Sequence, residues 1–317
     1  MTKNESLINR VLHGDCLELA NEIEPGSVDL ILTDLPYGTI KGLELGNWSK
    51  DKTSWDIAIE PRKIFEIANR ILRKNGKMVL FSQEPYTTKL INDANPNVPF
   101  NYRMIWEKDH FGNGLSAKKA PVSFYEDILI FSKTHETQNI HPLRGYAEKV
   151  HKFIGLEKGE IIKGLGMVKV NFLRYSDTQF ALCPKSTYEK LIELYSIDKM
   201  AGFMDYDELS KVDRIYKSEY PSVFNLWEGK KHKSNIFKYK KDYDGFHPTQ
   251  KPVLLLEDLI KTFSNEGDTI VDLTSGSCST AVASINTSRN FICIEKEWDY
   301  CLIGNERIKE VKGEIAM

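Results

Sequence analysis

An acid, a proline and an aromatic residue follow one apolar run near the start of the chain. The run is Val28–Leu32, and the residues after it are Thr33-Asp34-Leu35-Pro36-Tyr37-Gly38. The run predicts a buried strand, and open α/β sheets bind their ligands at the carboxyl ends of their strands. A carboxylate that accepts hydrogen bonds, next to a ring that can stack, suits a planar base that carries nitrogen. Asp and Pro also occur where strands simply end, so an ordinary turn is the alternative.

A turn of small residues follows a second apolar run near the other end of the chain. Thr269–Asp272 predicts a short buried strand, the residues up to Ser277 a tight turn, and those from Cys278 a helix; Asn290–Glu295 then predicts a strand that ends in an acid. In a β-α-β nucleotide-binding unit, small residues admit a ligand to the backbone and the acid accepts hydrogen bonds from ribose hydroxyls. The G-x-G-x-x-G fingerprint is absent, and an ordinary β-α-β core is the alternative.

Four blocks resemble, in order, the β-class of amino-group DNA methyltransferases, in which the catalytic motif comes first, target recognition lies in the middle and the cofactor loop comes last. The resemblance covers residues 8–133 and 221–310 and is to phage, prophage and restriction-modification members. The blocks are Gly14-Asp15-Cys16-Leu17 (G-D-C-L), Asp34-Leu35-Pro36-Tyr37 (D/N/S-P-P-Y/F), His247-Pro248-Thr249-Gln250-Lys251-Pro252 (H-P-T-Q-K-P) and Asp272–Thr280 (D-F-T-x-G-S-G-S-T).

The resemblance implies a catalytic role for each residue of the second block. The Asp34 carboxylate and the Leu35 backbone carbonyl would accept the two hydrogens of an exocyclic amine, which localises the lone pair on its nitrogen. Pro36 would fix the turn, because its φ is locked, and Tyr37 would stack on the base. The target base would be flipped out of duplex DNA to reach them.

The resemblance also implies S-adenosylmethionine as the cofactor, with S-adenosylhomocysteine as the product. Asp15 and Cys16 would lie at its adenine and Glu295 at its ribose, while Lys251 would pair with its carboxylate. The remaining residues expected to bind it, mostly around the methionine moiety, are Asp272, Ser275, Gly276, Ser277, Ser279 and Thr280. No metal is expected, because the spacing of His135, Glu136 and His141 does not match the helical zinc motif.

Two residues depart from the family pattern. Leu35 replaces the usual first proline, although the role belongs to its backbone carbonyl. Cys278 stands where the family usually has glycine, so cysteine is strained there if the turn requires a positive φ.

Asp34 favours N6 of adenine as the methylated atom, because in this family an acid at the first motif position usually accompanies adenine and serine accompanies cytosine. N4 of cytosine is the enzymatic alternative. An enzyme of the same fold that methylates RNA or a protein, and a DNA-binding relative with weak or no activity, stay open.

Clustered lysines predict contacts with DNA, although the net charge of −2 excludes a protein that coats nucleic acid nonspecifically. Lysines interleaved with aromatic residues can neutralise phosphates and pack on bases, and a solvated loop is the alternative. The candidates are Lys230, Lys231 and Lys233, followed by Lys238, Lys240 and Lys241 among Phe237, Tyr239 and Tyr243, with a second pair, Lys118 and Lys119, after Phe111-Gly112-Asn113-Gly114.

Apolar strands and amphipathic helices alternate in two stretches of the chain, separated by more than a hundred residues with a different pattern. We expect an α/β, Rossmann-like class I methyltransferase fold with a mostly parallel, doubly wound sheet and circularly permuted motif order. Residues 1–133 and 246–317 would form the catalytic domain, and residues 134–245 an inserted target-recognition region. Strands are expected near 9–13, 28–33, 76–82, 101–107, 126–132, 268–273 and 290–295, and helices near 16–23, 61–73, 84–93, 252–263, 279–286 and 297–310.

Cysteine usage and the absence of targeting signals predict a cytoplasmic protein. The five cysteines are scattered without a C-x-x-C pair, which indicates a reducing compartment. The polar N-terminus and the lack of a long apolar run indicate neither a signal peptide nor a membrane span. Duplex DNA is the expected partner, and a homodimer and a cognate restriction endonuclease stay open.

Overall fold

The computed structural model describes residues 3–38, 56–112, 117–135, 141–177, 179–219, 221–242, 246 and 249–313. Contacts divide the chain into two compact units. The first combines Met1–Thr134 with Ser222–Met317, and the second is His135–Pro221.

One eight-stranded sheet runs through the described residues of the first unit, in the order β1-β8-β7-β2-β3-β5-β4-β6. Strand β5 is antiparallel to both of its neighbours, and the other adjacent pairs are parallel, so the sheet is mostly parallel, as expected. The strands are β1 (Arg10–His13), β2 (Val28–Thr33), β3 (Leu72–Ser82), β4 (Phe100–Gly112), β5 (Ser123–Ser132), β6 (Ile236–Lys238), β7 (Thr269–Asp272) and β8 (Asn290–Glu295).

Helices cover both faces of this sheet, which explains why its central strands are continuously apolar. In β2, Ile31 packs into one buried cluster, whereas Leu30 and Leu32 pack into another on the opposite face. A strand buried on both sides needs apolar residues at every position. The helices of the first unit are α1 (Cys16–Leu19), α2 (Pro61–Ile71) and α3 (Tyr86–Asn92) before the second unit, and α8 (Val253–Phe263), α9 (Ser279–Asn286) and α10 (Trp298–Val311) after it.

The ends of several strands meet at one edge of the sheet, where they can build a site. Strand β2 pairs with β7 in parallel, with Ile31 opposite Val271, and β7 pairs with β8. The carboxyl ends of these three strands therefore lie side by side, and the residues that follow them face the same space.

Three differences from the sequence expectations concern short elements. The helix expected over 16–23 is one turn, α1, followed by a 3₁₀ turn over Ala20–Glu22. The helix expected to reach residue 73 ends at Ile71, and β3 begins at once, with Asn75 at a φ of 62°. Strand β6 was not anticipated, because three residues are too few to show a periodic pattern.

The expected inserted region, 134–245, is longer than the second unit. The described residues of this region from Ser222 to Asp242 fall in the first unit, because β6 pairs with β4 there, with Ile236 opposite Ile105. The second unit has its own buried cluster, which includes Phe172 and Tyr188. Its helices are α4 (Arg144–Ile154), α5 (Lys158–Gly164), α6 (Lys185–Tyr195) and α7 (Tyr206–Glu219).

In the structure, one histidine of the pattern considered as a metal site, His141, contacts an acid instead. His141 is buried and its Nε2 lies 3.3 Å from Asp213 Oδ1, whereas Glu136 falls outside the described residues. Among the described residues, no three His, Cys, Asp or Glu side chains are grouped so that they could hold a metal ion. Within the same residues, no helix combines the length and the apolar character that a bilayer span requires.

Candidate active site

A cavity of about 690 Å³ lies at the edge of the sheet where β2, β7 and β8 end. Its volume falls within the range of small-molecule sites, which is roughly 300–1,000 Å³. The structure brings to its wall every residue predicted for catalysis or for cofactor binding: Asp15, Cys16, Asp34, Leu35, Pro36, Tyr37, Lys251, Asp272, Ser275, Gly276, Ser277, Ser279, Thr280 and Glu295.

The two sequence stretches that carry most of these residues are hydrogen-bonded to each other. Thr33 Oγ1 donates to Asp272 Oδ1 at 2.8 Å, and Thr274 Oγ1 donates to the backbone carbonyl of Asp34 at 3.0 Å. These bonds join the end of β2 to the end of β7, about 240 residues apart in sequence.

Asp34 is held at both of its carboxylate oxygens. The Tyr37 hydroxyl donates to Oδ1 at 2.6 Å, and the Lys251 ammonium donates to Oδ2. Burial, the largest influence, raises the pKa of Asp34, and the Lys251 ammonium opposes this rise. Burial also raises the pKa of Tyr37 well above its ordinary value, so Tyr37 is a hydrogen-bond donor at neutral pH.

Lys251 lies on the cavity wall, where its ammonium is paired with acids, and its contact with the cofactor carboxylate stays a prediction. Its Nζ pairs with Asp34 and lies 3.3 Å from Glu126 Oε2, and its side chain is only 7% exposed. The ammonium is drawn to the two carboxylates because a buried cation needs counter-charges. Within the same block, His247 and Pro248 lie outside the described residues.

Gln250, next to Lys251, was not singled out from the sequence and is better placed to reach the cofactor loop. Its Oε1 accepts from Ser277 Oγ at 3.5 Å. Its Nε2 is buried and has no hydrogen-bond partner among the described residues, although it is a donor on a residue that lines the cavity. A buried donor without a partner indicates a place for a ligand acceptor.

Asp272 organises the turn between β7 and α9. It accepts from Thr280 Oγ1 at 2.6 Å and from the Thr274 backbone N–H at 3.1 Å, in addition to Thr33. Because it is buried, the pKa of Asp272 is raised to about 6. The carboxylate therefore has an internal role in holding the turn, alongside its position on the cavity wall.

The turn itself bends through two residues with positive φ. Gly276 has a φ of 50° and Cys278 a φ of 59° with a ψ of 34°, which is the left-handed region. Cys278, which stands where the family usually has glycine, therefore has a strained backbone conformation. The buried Arg307 of α10 donates to Ser277 Oγ and to Ser279 Oγ, each at 3.1 Å. These bonds hold the turn in place, and the sequence motifs gave no sign of Arg307.

Glu295, at the end of β8, faces the cavity with both oxygens fixed. Oε2 accepts from the Gly276 N–H at 2.7 Å, and Oε1 accepts from the Glu297 N–H at 2.8 Å. Burial raises its pKa. Each carboxylate oxygen keeps a second lone pair, which can accept from hydroxyl groups of a ligand.

Asp15 and Cys16 form another part of the cavity wall. Asp15 Oδ1 accepts from the Leu17 N–H at 2.9 Å, and this bond lowers the pKa of Asp15. Its Oδ2 lies 3.2 Å from Lys296 Nζ. Burial raises the pKa of Cys16 to about 11, so the thiol is neutral at physiological pH.

These groups fit S-adenosylmethionine, the cofactor that the sequence resemblance implies. Glu295 offers acceptors for ribose hydroxyls, and the unpartnered Gln250 amide offers a donor for an amino-acid carboxylate. The Ser275–Ser277 turn brings backbone close to the cavity between them.

The lysines predicted to contact DNA differ in their surroundings. Lys118, Lys119 and Lys231 are exposed, and Lys230 is exposed but paired with Glu228 at 2.9 Å. Lys233 is enclosed, because its side chain is 5% exposed and its Nζ lies 2.6 Å from both Glu228 and Asp258, so its contact with a phosphate stays a prediction that these ion pairs disfavour. Asn113, Gly114 and Tyr243 lie outside the described residues.

Glu126 is an acid of the cavity wall that the sequence motifs did not indicate. It lies in β5, opposite Trp106 of β4, and its side chain is 12% exposed. The available signal was the pair Glu126-Asp127 at the start of the apolar run Ile128–Phe131.

Comparisons with known proteins agree with this geometry. Residues 28–306 match the family of N6/N4 methyltransferases described as DNA methylase. Type II methyltransferase M2.MboI of Moraxella bovis is 32% identical over 95% of this chain and 88% of its own. DNA adenine methyltransferase YhdJ of Escherichia coli K12 is 25% identical over 94% of this chain and 82% of its own.

Solved structures share the fold at low sequence identity. M1.HpyAVI in complex with S-adenosylmethionine has a TM-score of 0.51 at 17% identity, covering 94% of this chain and 98% of its own. The cytosine-N4-specific PvuII DNA methyltransferase has a TM-score of 0.52 at 14% identity, covering 96% and 89%. The chain therefore belongs to the N6/N4 family of DNA methyltransferases, which depend on S-adenosylmethionine and have the class I methyltransferase fold.

Proposed function

We propose that this protein methylates N6 of an adenine that is flipped out of duplex DNA. The observation that carries the proposal is the shared cavity, which joins the Asp34–Tyr37 corner to the turn that ends at Cys278 and to Glu295. The choice of adenine is supported by the acid at position 34 and by relatives such as YhdJ, whose name is DNA adenine methyltransferase.

The chemistry follows from the groups at the corner. S-adenosylmethionine, when bound, supplies a methyl group on a positively charged sulfur. Asp34 and the Leu35 carbonyl accept the amine hydrogens, so the nitrogen lone pair is no longer spread into the ring and attacks the methyl carbon in line. The new N–C bond forms as the S–C bond breaks, and the nitrogen then loses one proton, for which the Asp34 carboxylate is an available acceptor. Positioning of this kind can supply about 7–11 kcal/mol of the barrier reduction.

Tyr37 and Pro36 prepare the corner for the base. The Tyr37 ring lies beside the cavity, and its hydroxyl is tied to Asp34, so ring and carboxylate keep a fixed spacing. Stacking on an aromatic ring contributes about 1–3 kcal/mol per base and does not depend on base identity. The specificity for an amine therefore comes from the acceptors rather than from the ring.

For the cofactor, we assign Glu295 to the ribose and Asp15 with Cys16 to the adenine. Gln250 replaces Lys251 as the residue for the methionine carboxylate, since its buried amide nitrogen is unpartnered among the described residues, whereas the Lys251 ammonium is paired with acids. The remaining wall residues, Asp272, Ser275, Gly276, Ser277, Ser279 and Thr280, hold the turn that the methionine moiety would contact.

For DNA, we assign Lys118, Lys119 and Lys231 to phosphates, because they are exposed. The unit over His135–Pro221 would read the target sequence. Relatives named type II methyltransferases, such as M2.MboI, support a place in a restriction-modification system, in which a cognate restriction endonuclease would be the partner. Sedimentation of the purified protein would establish whether it forms a homodimer.

The test is methyl transfer from labelled S-adenosylmethionine to unmethylated genomic DNA, followed by mass spectrometry of the nucleosides. We expect N6-methyladenine from the wild-type protein and at least a 100-fold lower rate from Asp34→Ala, with cofactor affinity retained. N4-methylcytosine as the only product would establish the cytosine alternative. The PvuII methyltransferase, which shares the fold, is named as cytosine-N4-specific. If no DNA accepts a methyl group, the protein would be a DNA-binding relative without methyltransferase activity.

A further inference from the structure

Glu126 and Asp34 share one cation inside the cavity. Lys251 Nζ donates to Asp34 Oδ2 and lies 3.3 Å from Glu126 Oε2. All three side chains are largely buried, with exposed fractions of 22% for Asp34, 12% for Glu126 and 7% for Lys251. At this degree of burial, the ammonium must stay close to at least one of the two acids.

The two oxygens of Glu126 are in different states. Oε1 accepts a hydrogen bond from the Lys108 ammonium. Oε2 is buried and lies 3.3 Å from the Lys251 ammonium, an ion pair without the alignment of a good hydrogen bond. Oε2 can therefore accept a better aligned hydrogen bond from this ammonium than it does now.

Asp34 is in the opposite state, since both of its oxygens already accept. Tyr37 donates to Oδ1 and Lys251 donates to Oδ2. An ammonium bound to a carboxylate withdraws electron density from it, so Oδ2 is a weaker acceptor for an incoming amine even though it keeps a second lone pair. The Lys251 ammonium therefore competes at Oδ2 with the substrate that the proposed function gives this corner.

We propose that Glu126 is a positioning residue for methyl transfer, which takes the Lys251 ammonium when the target amine enters and so frees Asp34 Oδ2 to accept the amine hydrogen. This inference rests on the proposed function. The movement is short, because Nζ needs only a rotation about the terminal bonds of the lysine side chain to donate to Oε2. The Phe81 ring, whose centroid lies 5.1 Å from Nζ, gives the ammonium a favourable surface in either position.

The exchange replaces one ion pair by a hydrogen bond from the target amine. Before it, Lys251 is paired with both Asp34 and Glu126, and Lys108 is paired with Glu126; after it, Glu126 holds both ammonium groups and Asp34 holds the amine. A bound base can therefore shift the balance between the two arrangements, because its amine supplies the bond that Asp34 gives up.

Glu126→Gln tests the proposal, because glutamine keeps the size of the side chain and removes the charge that would attract Lys251. We expect the single-turnover rate at saturating cofactor and DNA to fall at least tenfold, while the dissociation constants for both stay within twofold. Glu107→Gln is the matched control, since Glu107 lies on β4, is 47% exposed and is absent from the cavity wall; its rate should equal that of the wild type.

A second variant separates this role from a structural one. Lys251→Met removes the cation that has to be moved, so adding Glu126→Gln to it should change the rate by less than twofold. A further tenfold loss in the Lys251→Met background would overturn the proposal, as would an unchanged rate in Glu126→Gln alone. Should Glu126→Gln alone fail to fold, the comparison of the double variant with Lys251→Met still decides, because the double variant removes one charge of each sign.

The outcomes also distinguish a failure of the proposed function from a failure of the role of Glu126. A wild-type protein that transfers no methyl group to DNA contradicts the proposed function. A wild-type protein that does so, together with a fully active Glu126→Gln variant, contradicts only the role of Glu126.

Discussion

Gly304 lies against the sulfur of Cys278 so closely that no larger residue fits at position 304. A Cβ atom on Gly304 would lie 2.3 Å from Cys278 Sγ and 2.9 Å from Cys278 Cβ. Gly304 belongs to α10 and Cys278 directly precedes α9, so this contact sets how closely the helix approaches the turn beside the cavity. The glycine is needed here for close approach rather than for its backbone freedom.

Gly304→Ala should therefore reduce the free energy of unfolding by about 1–3 kcal/mol, the usual effect of overpacking a rigid site. Cys278→Gly should have a small net effect, because relief of about 1 kcal/mol of left-handed strain offsets the lost packing of a buried sulfur. The double variant should recover most of the loss, since the atoms that clash are then gone. Urea unfolding of the three variants measures this, and strictly additive losses would contradict it.

Glu295→Gln should weaken the binding of S-adenosylmethionine at least tenfold, measured by titration calorimetry. Two backbone N–H groups point at the Glu295 carboxylate, so the NH₂ of a glutamine would face one of them, donor to donor. Bonds to a charged acceptor contribute about 1.5–3 kcal/mol each.

Under the proposed ribose role, the loss at position 295 should be equal for S-adenosylhomocysteine, which has the same ribose. Glu306→Gln is the control, since Glu306 is exposed on α10. An unchanged dissociation constant for Glu295→Gln would remove this residue from the proposed site.

Asp272 should make the stability of the protein depend on pH. Its pKa is raised from 3.8 to about 6, so the folded protein binds this proton more tightly than the unfolded chain does. Its contribution to stability is therefore greatest below pH 3.8 and declines as the pH rises to about 6, by about 3 kcal/mol in all. Relative to Asp272→Asn, the wild-type protein should lose free energy of unfolding between about pH 4 and pH 7. A difference that stays constant or grows with pH would be the contrary result.

Replacing Tyr37 should separate the ring from the hydroxyl. Tyr37→Phe keeps the stacking surface and loses the 2.6 Å bond to Asp34, so we expect about a fivefold slower single-turnover rate. Tyr37→Ala loses the ring as well and should be slower by a further factor of about ten.

Tyr86→Phe is the matched control for the loss of a hydroxyl. Tyr86 donates to the Ile59 carbonyl at 2.8 Å and is not part of the cavity wall. The single-turnover rate of Tyr86→Phe should therefore equal that of the wild-type protein. If Tyr37→Phe and Tyr37→Ala lower the single-turnover rate equally, the role of Tyr37 belongs to its hydroxyl and not to its ring.

The exposed lysines after β4 should contribute to the salt dependence of DNA binding. Lys118→Gln with Lys119→Gln should lower the slope of log affinity against log salt by about two, the value for two phosphate contacts. Fluorescence anisotropy over a range of salt concentrations measures the slope. Lys309→Gln with Lys312→Gln removes the same charge from exposed positions in and directly after α10 and should leave the slope unchanged.

Lys233→Gln should behave in a third way, because Lys233 is enclosed by Glu228 and Asp258. Its loss should lower the free energy of unfolding by about 3 kcal/mol, since the buried Asp258 is then left without its cation, whereas Glu228 keeps Lys230. A lower salt slope in this variant would restore Lys233 as a phosphate contact.

The fold could be predicted where burial dominates the sequence pattern. Strands β2, β7 and β8 are covered on both faces, so their apolar runs are continuous and stand out. The alternation of these runs with amphipathic helices predicted the mostly parallel sheet, and the expected fold is confirmed by the solved structures. Short elements such as β6 leave no such pattern.

The wall of the cavity could be predicted from the motifs, but the pairing of its charges could not. The positions of Lys251 and Lys233 depend on which acids burial brings near them, and those acids are up to 217 residues away in sequence. Arg307 was missed for the same reason, because no local pattern sets it apart from other polar residues in α10. Gln250 lies in the H-P-T-Q-K-P block, but the motif alone does not assign it a role.

The unit over His135–Pro221 packs around its own apolar centre, with Phe172, Tyr188 and Leu191 fully enclosed. If this unit reads the target sequence, as proposed, substitutions on its surface could change which sequence is methylated while the strands that hold Asp34 and Glu295 stay unchanged. Replacing this segment by that of a relative would put such a change within reach of the laboratory.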